Sequence, residues 1–411
     1  MKLSINDLLY QFSYALDCVE HDLLGTTTHH GQRVACMSVE MGAALGYEKQ
    51  ELLDLAACAV LHDNALTEYI QEEWRRGFDV TENADLISLG SHCTLGERNL
   101  KQMPFCGDVS GSVLYHHENA DGTGPFGKTT DETPMNAQII HLADQVDAKW
   151  DLSYISEEKY QKLIHFLESE TDRQFSKECV DLFIKSLPKK LLFSFGREKA
   201  LVILQEKLPL VEKEYNDTEI KGISDVMANI IDYKSKFTRK HSLGIAQKAE
   251  KMGEFYGYSK EDITKLYFAG ALHDVGKLVV DRDILEKADK LTDDEYRHIQ
   301  NHAYYSYDIL RRVKGLEEVT KWASWHHEKL DGSGYPFGKT AEELNEPERL
   351  MCCLDIYQAL TEDRPYKAGM THLKSMEILR DMAQKGMLDA KIVEDIHTVF
   401  QEDRANESEI R

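Results

Sequence analysis

The sequence lacks the features expected of membrane, secreted and nucleic-acid-binding proteins. No stretch approaches 18 apolar residues, and no basic start precedes an apolar run, so we expect neither a transmembrane helix nor a signal peptide. Basic residues number 49 against 72 acidic ones, and a net charge of −23 would repel a nucleic-acid polymer. The eight cysteines show no CxxC spacing, which favours reduced thiols in the cytoplasm over disulfides or a zinc knuckle.

Proline is also scarce, with 8 in 411 residues, and there is no low-complexity tract, so we expect the whole chain to fold. Histidine is plentiful by contrast. Of the 17 histidines, ten recur at matched positions of an internal repeat, in which residues 29–47 align with 240–258 and residues 115–128 with 325–339. The displacement is 210 or 211 residues throughout, which indicates a tandem duplication with a joint near 195–220.

The spacing of apolar residues between the repeated blocks is helical. Leu52, Leu55, Ala56 and Ala59 recur at steps of three and four residues, which places them on one face of a helix. Strand signals are few. We therefore predict an all-α protein of two tandem helical bundles, in domains 1–204 and 205–411. Residues 157–187 and 210–237 also have helical patterns, and we expect a long helix around 205–237 that connects the bundles or packs between them.

The second copy carries seven recurring polar residues within or at the ends of apolar helices: His241, His273, Asp274, His302, His326, His327 and Asp355. One buried histidine is usually a satisfied core residue, but seven such residues repeated together point to a metal pair. We expect Asp274 to bridge two ions, one held with His241, His273 and Asp355, and the other with the remaining three histidines. Mixed imidazole and carboxylate ligands favour Mn, Fe, Zn, Co or Ni over Mg or Ca.

Two divalent ions would make this pocket locally positive inside an acidic protein, which suits a phosphodiester ligand. Ions about 3.5–4 Å apart can also lower the pKa of a shared water and hold the attacking and leaving oxygens. The residues alone therefore predict metal-dependent phosphoester chemistry.

Three motifs carry a family resemblance: HDVGK at 273–277, HHEKLDGSGYPFG at 326–338 and DIYQALTEDRPYK at 355–367. They resemble the HD-GYP phosphodiesterases, a branch of the HD-domain phosphohydrolases, in which a bimetallic site opens a cyclic dinucleotide. The resemblance implies that the seven residues are metal ligands, with Asp274 and Lys277 catalytic. It further implies that Lys277 contacts phosphate, that Tyr335 in the Gly-Tyr-Pro loop shapes the pocket, and that Arg364 and Lys367 bind phosphate or base.

Two positions depart from the family pattern. Some family members carry a Glu four residues before the first histidine and bind a third metal, whereas this chain has Phe237 there, so we expect two ions. Ser306 stands where the family usually has Gly, and we expect the change to be tolerated on a helix.

The first copy retains every candidate ligand but not the residues around them. Leu66 replaces the lysine, the Gly-Tyr-Pro loop has lost its Tyr, and no Arg-Pro-Tyr follows the last aspartate. This half is predicted to hold metal, sense a ligand or form a dimer, or else to be a degenerate copy that packs against the second. We do not expect a second active site. Its candidate ligands are His30, His62, Asp63, His92, His116, His117 and Asp144.

The predicted function is hydrolysis of a cyclic dinucleotide to the linear 5′-phosphorylated dinucleotide. The tandem arrangement is similar to phosphodiesterases that act on 3′,3′-cyclic GMP-AMP, and the choice between that substrate and cyclic di-GMP stays open, as does a homodimer. Two alternatives remain: a catalytically silent cyclic-dinucleotide receptor, and an HD-type phosphomonoesterase or nucleotidase.

Overall fold

The protein is described from a computed structural model that covers residues 1–24, 28–76, 89–195, 199–208, 212–234, 240–287, 289–363 and 368–401. Within these ranges its regular elements are helices joined by turns and loops, apart from two short antiparallel strands, β1 (Lys2–Leu3) and β2 (Lys213–Glu214). The predicted all-α class is therefore confirmed. None of the described helices combines the length and the apolar composition that a membrane span needs.

The chain divides into two compact units, one formed by Ser4–Glu212 and the other by Met1–Leu3 together with Lys213–Arg411. The domain boundary expected after residue 204 falls inside a helix of the first unit, Lys199–Lys207, and the chain leaves that unit only after Glu212.

The first unit contains ten α-helices in its described residues. They are α1 (Ile5–Leu24), α2 (His30–Ala44), α3 (Lys49–Val60), α4 (Leu66–Arg75), α5 (Leu89–Leu100), α6 (Met135–Trp150), α7 (Glu157–Ser169), α8 (Lys177–Ser186), α9 (Lys189–Leu192) and α10 (Lys199–Lys207). The helical pattern of 157–187 thus forms two helices, α7 and α8, each started by a serine whose side chain accepts a backbone N–H.

The second unit contains nine described α-helices: α11 (Asp217–Tyr233), α12 (His241–Phe255), α13 (Lys260–Leu272), α14 (Arg282–Leu285), α15 (Asp293–Leu310), α16 (Glu317–Ser324), α17 (Glu346–Thr361), α18 (His372–Gln384) and α19 (Ala390–Phe400). The helix expected around 205–237 is α11. It begins only at Asp217, because Asn216 and Glu219 form a capping box there, and it belongs to the second unit.

The duplication is visible in matched helices. Helices α2 and α12 both have 15 residues, and α6 and α17 both have 16. In the second unit α12 and α13 pack closely because Gly270 has no side chain, and a Cβ there would lie 2.7 Å from the backbone of Ala246. This packing brings His241, at the start of α12, near His273, which caps the end of α13.

Candidate metal centre

The structure brings the seven candidate ligands of the second unit together from five elements. His241 starts α12, His273 and Asp274 follow α13, His302 lies on α15, His326 and His327 follow α16, and Asp355 lies on α17. The donor atoms of His241, His273 and Asp355 all lie within 4.8 Å of one another, as do those of the three remaining histidines. These two groups correspond to the two halves of the predicted ligand set.

Asp274 lies between the two groups. Its Oδ2 is 3.1 Å from His273 Nε2 and 4.0 Å from His241 Nε2, and its Oδ1 is 3.3 Å from His302 Nε2 and 3.9 Å from His326 Nε2. Each oxygen therefore faces imidazole nitrogens of a different group. This is the placement that a bridging carboxylate requires.

Backbone carbonyls fix the orientation of three imidazoles. The Nδ1 atoms of His273, His302 and His326 lie 2.8, 2.6 and 2.5 Å from the carbonyl oxygens three residues earlier in the chain. Because a carbonyl only accepts hydrogen bonds, Nδ1 carries the proton in each ring and Nε2 presents a lone pair. The same outer hydrogen bond orients histidine ligands in metal sites.

The lone pairs face one another and the carboxylate of Asp274 with no proton between them. His302 Nε2 lies 3.4 Å from His326 Nε2. The buried atoms His273 Nε2 and Asp274 Oδ1 make no hydrogen bond to any described residue. Acceptors that converge in this way leave buried polar atoms unsatisfied, which is costly unless a cation lies among them. The site therefore fits divalent metal ions.

The electrostatics keep His302, His327 and Asp274 in the forms that bind metal. Burial lowers the pKa of His302 to about 3 and that of His327 to about 4, so both imidazoles are neutral at pH 7. Burial would raise the pKa of Asp274, but its imidazole neighbour His273 and the Lys277 ammonium outweigh burial and hold the pKa well below its usual range. The carboxylate is consequently ionised.

His241 is held by a residue that the sequence analysis did not single out. Its Nε2 lies 3.2 Å from Asp355 Oδ1, and its Nδ1 lies 2.8 Å from Glu362 Oε2. Burial opposes protonation of His241, but the hydrogen bonds to Asp355 and Glu362 raise its pKa to about 10. In the first unit the partner of His30 Nδ1 is Asp147, at 2.7 Å. The carboxylate that holds the first histidine lies three positions after the repeated aspartate in the first copy and seven positions after it in the second. Because the two spacings differ, aligning the repeats did not reveal it.

Lys277 and Tyr335, two of the four expected substrate contacts, both lie beside the candidate ligands. The Lys277 ammonium contacts Asp274 Oδ2. Burial would lower the pKa of Lys277, but the charge of Asp274 outweighs it and raises that pKa. The Tyr335 ring lies 4.6 Å from the His327 ring, centre to centre. Arg364, Lys367 and Phe237 lie outside the described residues.

Two further residues support the centre and were missed or underrated in the sequence. Glu328, which is 1% exposed, accepts hydrogen bonds from the backbone N–H groups of Phe337 (2.7 Å) and Lys339 (2.8 Å), and so holds the loop that carries Tyr335. Ser306 donates to the His273 carbonyl at 2.8 Å and accepts from Gly276 N at 2.9 Å. The serine is more than tolerated, because it ties α15 to the turn that carries Asp274.

The first unit brings together its own set. His30 Nε2 lies 3.3 Å from Asp144 Oδ1, and Asp63 Oδ1 lies 3.2 Å from His92 Nε2 and 3.5 Å from His116 Nε2. Leu66 is buried at the position of the lysine.

Comparison with known proteins identifies the family to which the chain belongs. The HD domain family matches residues 21–170 and 225–392, most of the chain and one match in each unit. The chain belongs to the HD domain family. This HD domain protein is 29% identical over 399 residues to 3′3′-cGAMP-specific phosphodiesterase 1 of Vibrio cholerae, covering 95% of this chain and 90% of that protein.

A second named relative is similar over a shorter stretch of the chain. The cyclic di-GMP phosphodiesterase PA4108 of Pseudomonas aeruginosa is 42% identical over 129 residues, which is 30% of each chain. The crystal structure of a cyclic GMP-AMP-specific phosphodiesterase of V. cholerae aligns with a TM-score of 0.64 at 20% identity and covers 98% of both chains. That alignment shows that the two share a fold. The family predicted from the motifs is confirmed.

Proposed function

We propose that the second unit of this HD domain protein is a metal-dependent phosphodiesterase that opens a cyclic dinucleotide to the linear 5′-phosphorylated product. The observation that carries the proposal is the convergence of unprotonated imidazole nitrogens on both oxygens of Asp274, with Lys277 beside them. The similarity to one named 3′3′-cGAMP-specific phosphodiesterase over 95% of the chain supports the substrate class.

The ligand set would hold two divalent transition ions, with Mn and Fe as the first candidates. Ions bound there supply Lewis-acid polarisation of the phosphodiester and lower the pKa of water in the site. Asp274 would join the two halves of the ligand set, with His241, His273 and Asp355 on one side and His302, His326 and His327 on the other.

The other side chains would bind and orient the substrate. The Lys277 ammonium, protonated at neutral pH, would offer its positive charge to a phosphate oxygen once Asp274 is engaged with metal. The Tyr335 ring beside His327 supplies an aromatic face at the edge of the site, against which a base or ribose can pack. Arg364 and Lys367 are proposed as further phosphate or base contacts from their motif alone.

The named relatives act on two different cyclic dinucleotides, and we propose 3′,3′-cyclic GMP-AMP as the preferred substrate, with cyclic di-GMP as the second. A cGAMP-specific enzyme is similar to this chain over almost its whole length. The cyclic di-GMP enzyme cited above is similar over only 30% of the chain. Action in the cytoplasm, a homodimer and the lack of a nucleic-acid partner stay predictions.

The test is product analysis by chromatography and mass spectrometry. Full-length protein loaded with Mn or Fe is incubated with 3′,3′-cyclic GMP-AMP, cyclic di-GMP and cyclic di-AMP in parallel. We expect linear dinucleotide from one or both of the first two substrates. The doubly substituted His273→Ala/Asp274→Ala protein should form none, because it lacks the bridging carboxylate, whereas His62→Ala should retain at least part of the turnover.

Two outcomes would contradict this proposal. Measurable cyclic-dinucleotide binding without product under any metal would make the protein a silent receptor. Release of phosphate from monoesters, with no action on cyclic dinucleotides, would make it a phosphomonoesterase.

A further inference from the structure

The two units hold their first histidine in different ways, although the repeats align without a gap here. In the first unit Asp147 contacts His30 Nδ1 at 2.7 Å. Asp147 also accepts two hydrogen bonds from Arg33, from Nε at 2.7 Å and from Nη2 at 2.9 Å, and both residues are buried. The matched residues of the second unit are Gln358 for Asp147 and Gly244 for Arg33. A buried ion pair in one copy thus corresponds to an amide and a glycine in the other.

The glycine makes room for the amide. A Cβ at Gly244 would lie 2.5 Å from Gln358 Nε2, 2.7 Å from its Cδ and 2.8 Å from its Oε1. These distances are shorter than ordinary carbon contacts, so the amide group lies directly against the backbone of α12. Gln358 itself lies on α17 and is 6% exposed. Any side chain at Gly244 would displace this amide.

The charged neighbours of Gln358 determine which way its amide points. Lys248 Nζ lies 2.7 Å from Gln358 Oε1, and Gln358 Nε2 lies 3.3 Å from Glu362 Oε2. An ammonium only donates and a carboxylate only accepts, so the amide oxygen faces Lys248 and the NH₂ group faces Glu362. The residue of the first unit that matches Lys248 is Met37. The lysine therefore accompanies the glutamine in the second unit.

This chain of contacts ends at a candidate metal ligand. The Glu362 oxygen that accepts from Gln358 also lies 2.8 Å from His241 Nδ1. A hydrogen bond to one ring nitrogen orients the other toward a metal, so the position of this oxygen sets the direction of His241 Nε2. Glu362 follows the last residue of α17 and has an extended backbone. Gln358, four residues earlier on α17, is placed to hold its carboxylate.

We propose that Gln358 is a positioning residue of the metal centre, which holds Glu362 against His241 and thereby sets the affinity of the second unit for metal. Lys248 orients the amide, and Gly244 provides the space for it. The inference rests on the metal centre of the proposed function, but it concerns metal affinity and not the reaction. Substitutions of Gln358 therefore act on the metal through Glu362.

The test measures the affinity of the full-length protein for Mn by competition with a chelator dye. Binding by the His273→Ala/Asp274→Ala protein is subtracted, because that variant lacks the second unit's bridging carboxylate. Gln358→Met keeps the length of the side chain and removes both polar atoms of the amide. We expect it to bind Mn about tenfold more weakly, at the lower end of the effect of groups that orient metal ligands.

A double substitution tests whether Gln358 acts through Glu362. In a protein that already carries Glu362→Gln, adding Gln358→Met should change the affinity by under about twofold, since the carboxylate that the amide holds is gone. Independent contributions would multiply, and Gln358→Met would then weaken binding by the same factor with or without Glu362→Gln. A purely structural role would lower the Tm and would not depend on Glu362 in this way.

Lys248→Met provides a second measurement at a half-buried position, so the inference stays testable if Gln358→Met does not fold. We expect Mn binding to weaken by at least about threefold, the size of one hydrogen bond. The matched control is Lys251→Met on the same helix, where the ammonium lies 5.8 Å from the centre of the Phe400 ring. This control should bind Mn as the unaltered protein does.

An unchanged affinity in Gln358→Met, or an undiminished loss when it is added to Glu362→Gln, would overturn the inference. Equal effects of Lys248→Met and Lys251→Met would overturn it as well. Failure here is separable from failure of the proposed function. Affinities that change as expected in a protein that forms no product contradict only the proposed function, whereas product formed by a protein whose Gln358→Met variant binds Mn unchanged contradicts only the inference.

Discussion

Replacing Glu328 by Gln should impair turnover by loosening the loop that carries Tyr335. The buried carboxylate accepts two backbone N–H groups, from Phe337 at 2.7 Å and from Lys339 at 2.8 Å. An amide has one accepting oxygen, and its NH₂ would face one of these donors. One charge-assisted hydrogen bond is lost, at a cost of about 1.5–3 kcal/mol. If the whole cost destabilises the ordered conformation of this loop, the fraction of molecules with an ordered loop drops by roughly 10- to 150-fold, since about 1.4 kcal/mol corresponds to a factor of ten.

The duplication supplies a matched control for this prediction. In the first unit the buried Glu118 accepts from Phe126 N at 2.7 Å and from Lys128 N, in a loop that lacks the tyrosine. Glu118→Gln should lower the Tm about as much as Glu328→Gln. Steady-state kinetics on the cyclic dinucleotide should then show a loss of roughly 10-fold or more in kcat/KM for Glu328→Gln only, and a change of under about twofold for Glu118→Gln. Equal losses in both variants, or none in Glu328→Gln, would refute the assigned role.

Three further substitutions test other parts of the centre. Lys277→Met should lower turnover by at least about 100-fold while bound metal stays unchanged, because the ammonium acts on phosphate and is not a ligand; metal lost in parallel with turnover would contradict this, and plasma mass spectrometry measures it. Glu362→Gln should weaken metal binding by roughly 10- to 100-fold, because carboxylates that orient histidine ligands contribute that much to metal affinity in other proteins. Competition with a chelator dye measures the affinity, and an unchanged affinity would contradict the assigned role of Glu362. Gly276→Ala should lower both Tm and bound metal, since its Cβ would lie 2.0 Å from the His302 carbonyl oxygen; a chain with the original Tm and metal content would show that the turn relaxes freely.

The sequence predicted the helical class, and it singled out the polar side chains that converge in the second unit, for physical reasons. Apolar spacing of three and four residues needs a helix face, and a duplicated chain shows which polar residues both copies kept. Neither the apolar spacing nor the repeat predicts residues whose role depends on a contact with backbone atoms distant in the sequence. Glu328 was visible in its motif, but only the folded loop shows that Phe337 and Lys339 donate to it.

Element boundaries were less predictable. The apolar pattern of 210–237 gave no sign of the capping box at Asn216, which starts α11 well inside that segment. The expected domain boundary after residue 204 cut through α10, because a repeat locates the matched blocks and leaves the joint between them undefined. Ser306 shows the same limit, since its two hydrogen bonds join residues 30 or more positions apart.

The most direct measurement of the central claim follows oxygen from water into the product. Metal-loaded protein is incubated with 3′,3′-cyclic GMP-AMP in ¹⁸O-enriched water, and the product is fragmented in a mass spectrometer. Hydrolysis of one phosphodiester at the P–O3′ bond predicts a linear dinucleotide with a single ¹⁸O on its terminal 5′-phosphate. No linear product, or a product with a terminal 3′-phosphate, would contradict the account.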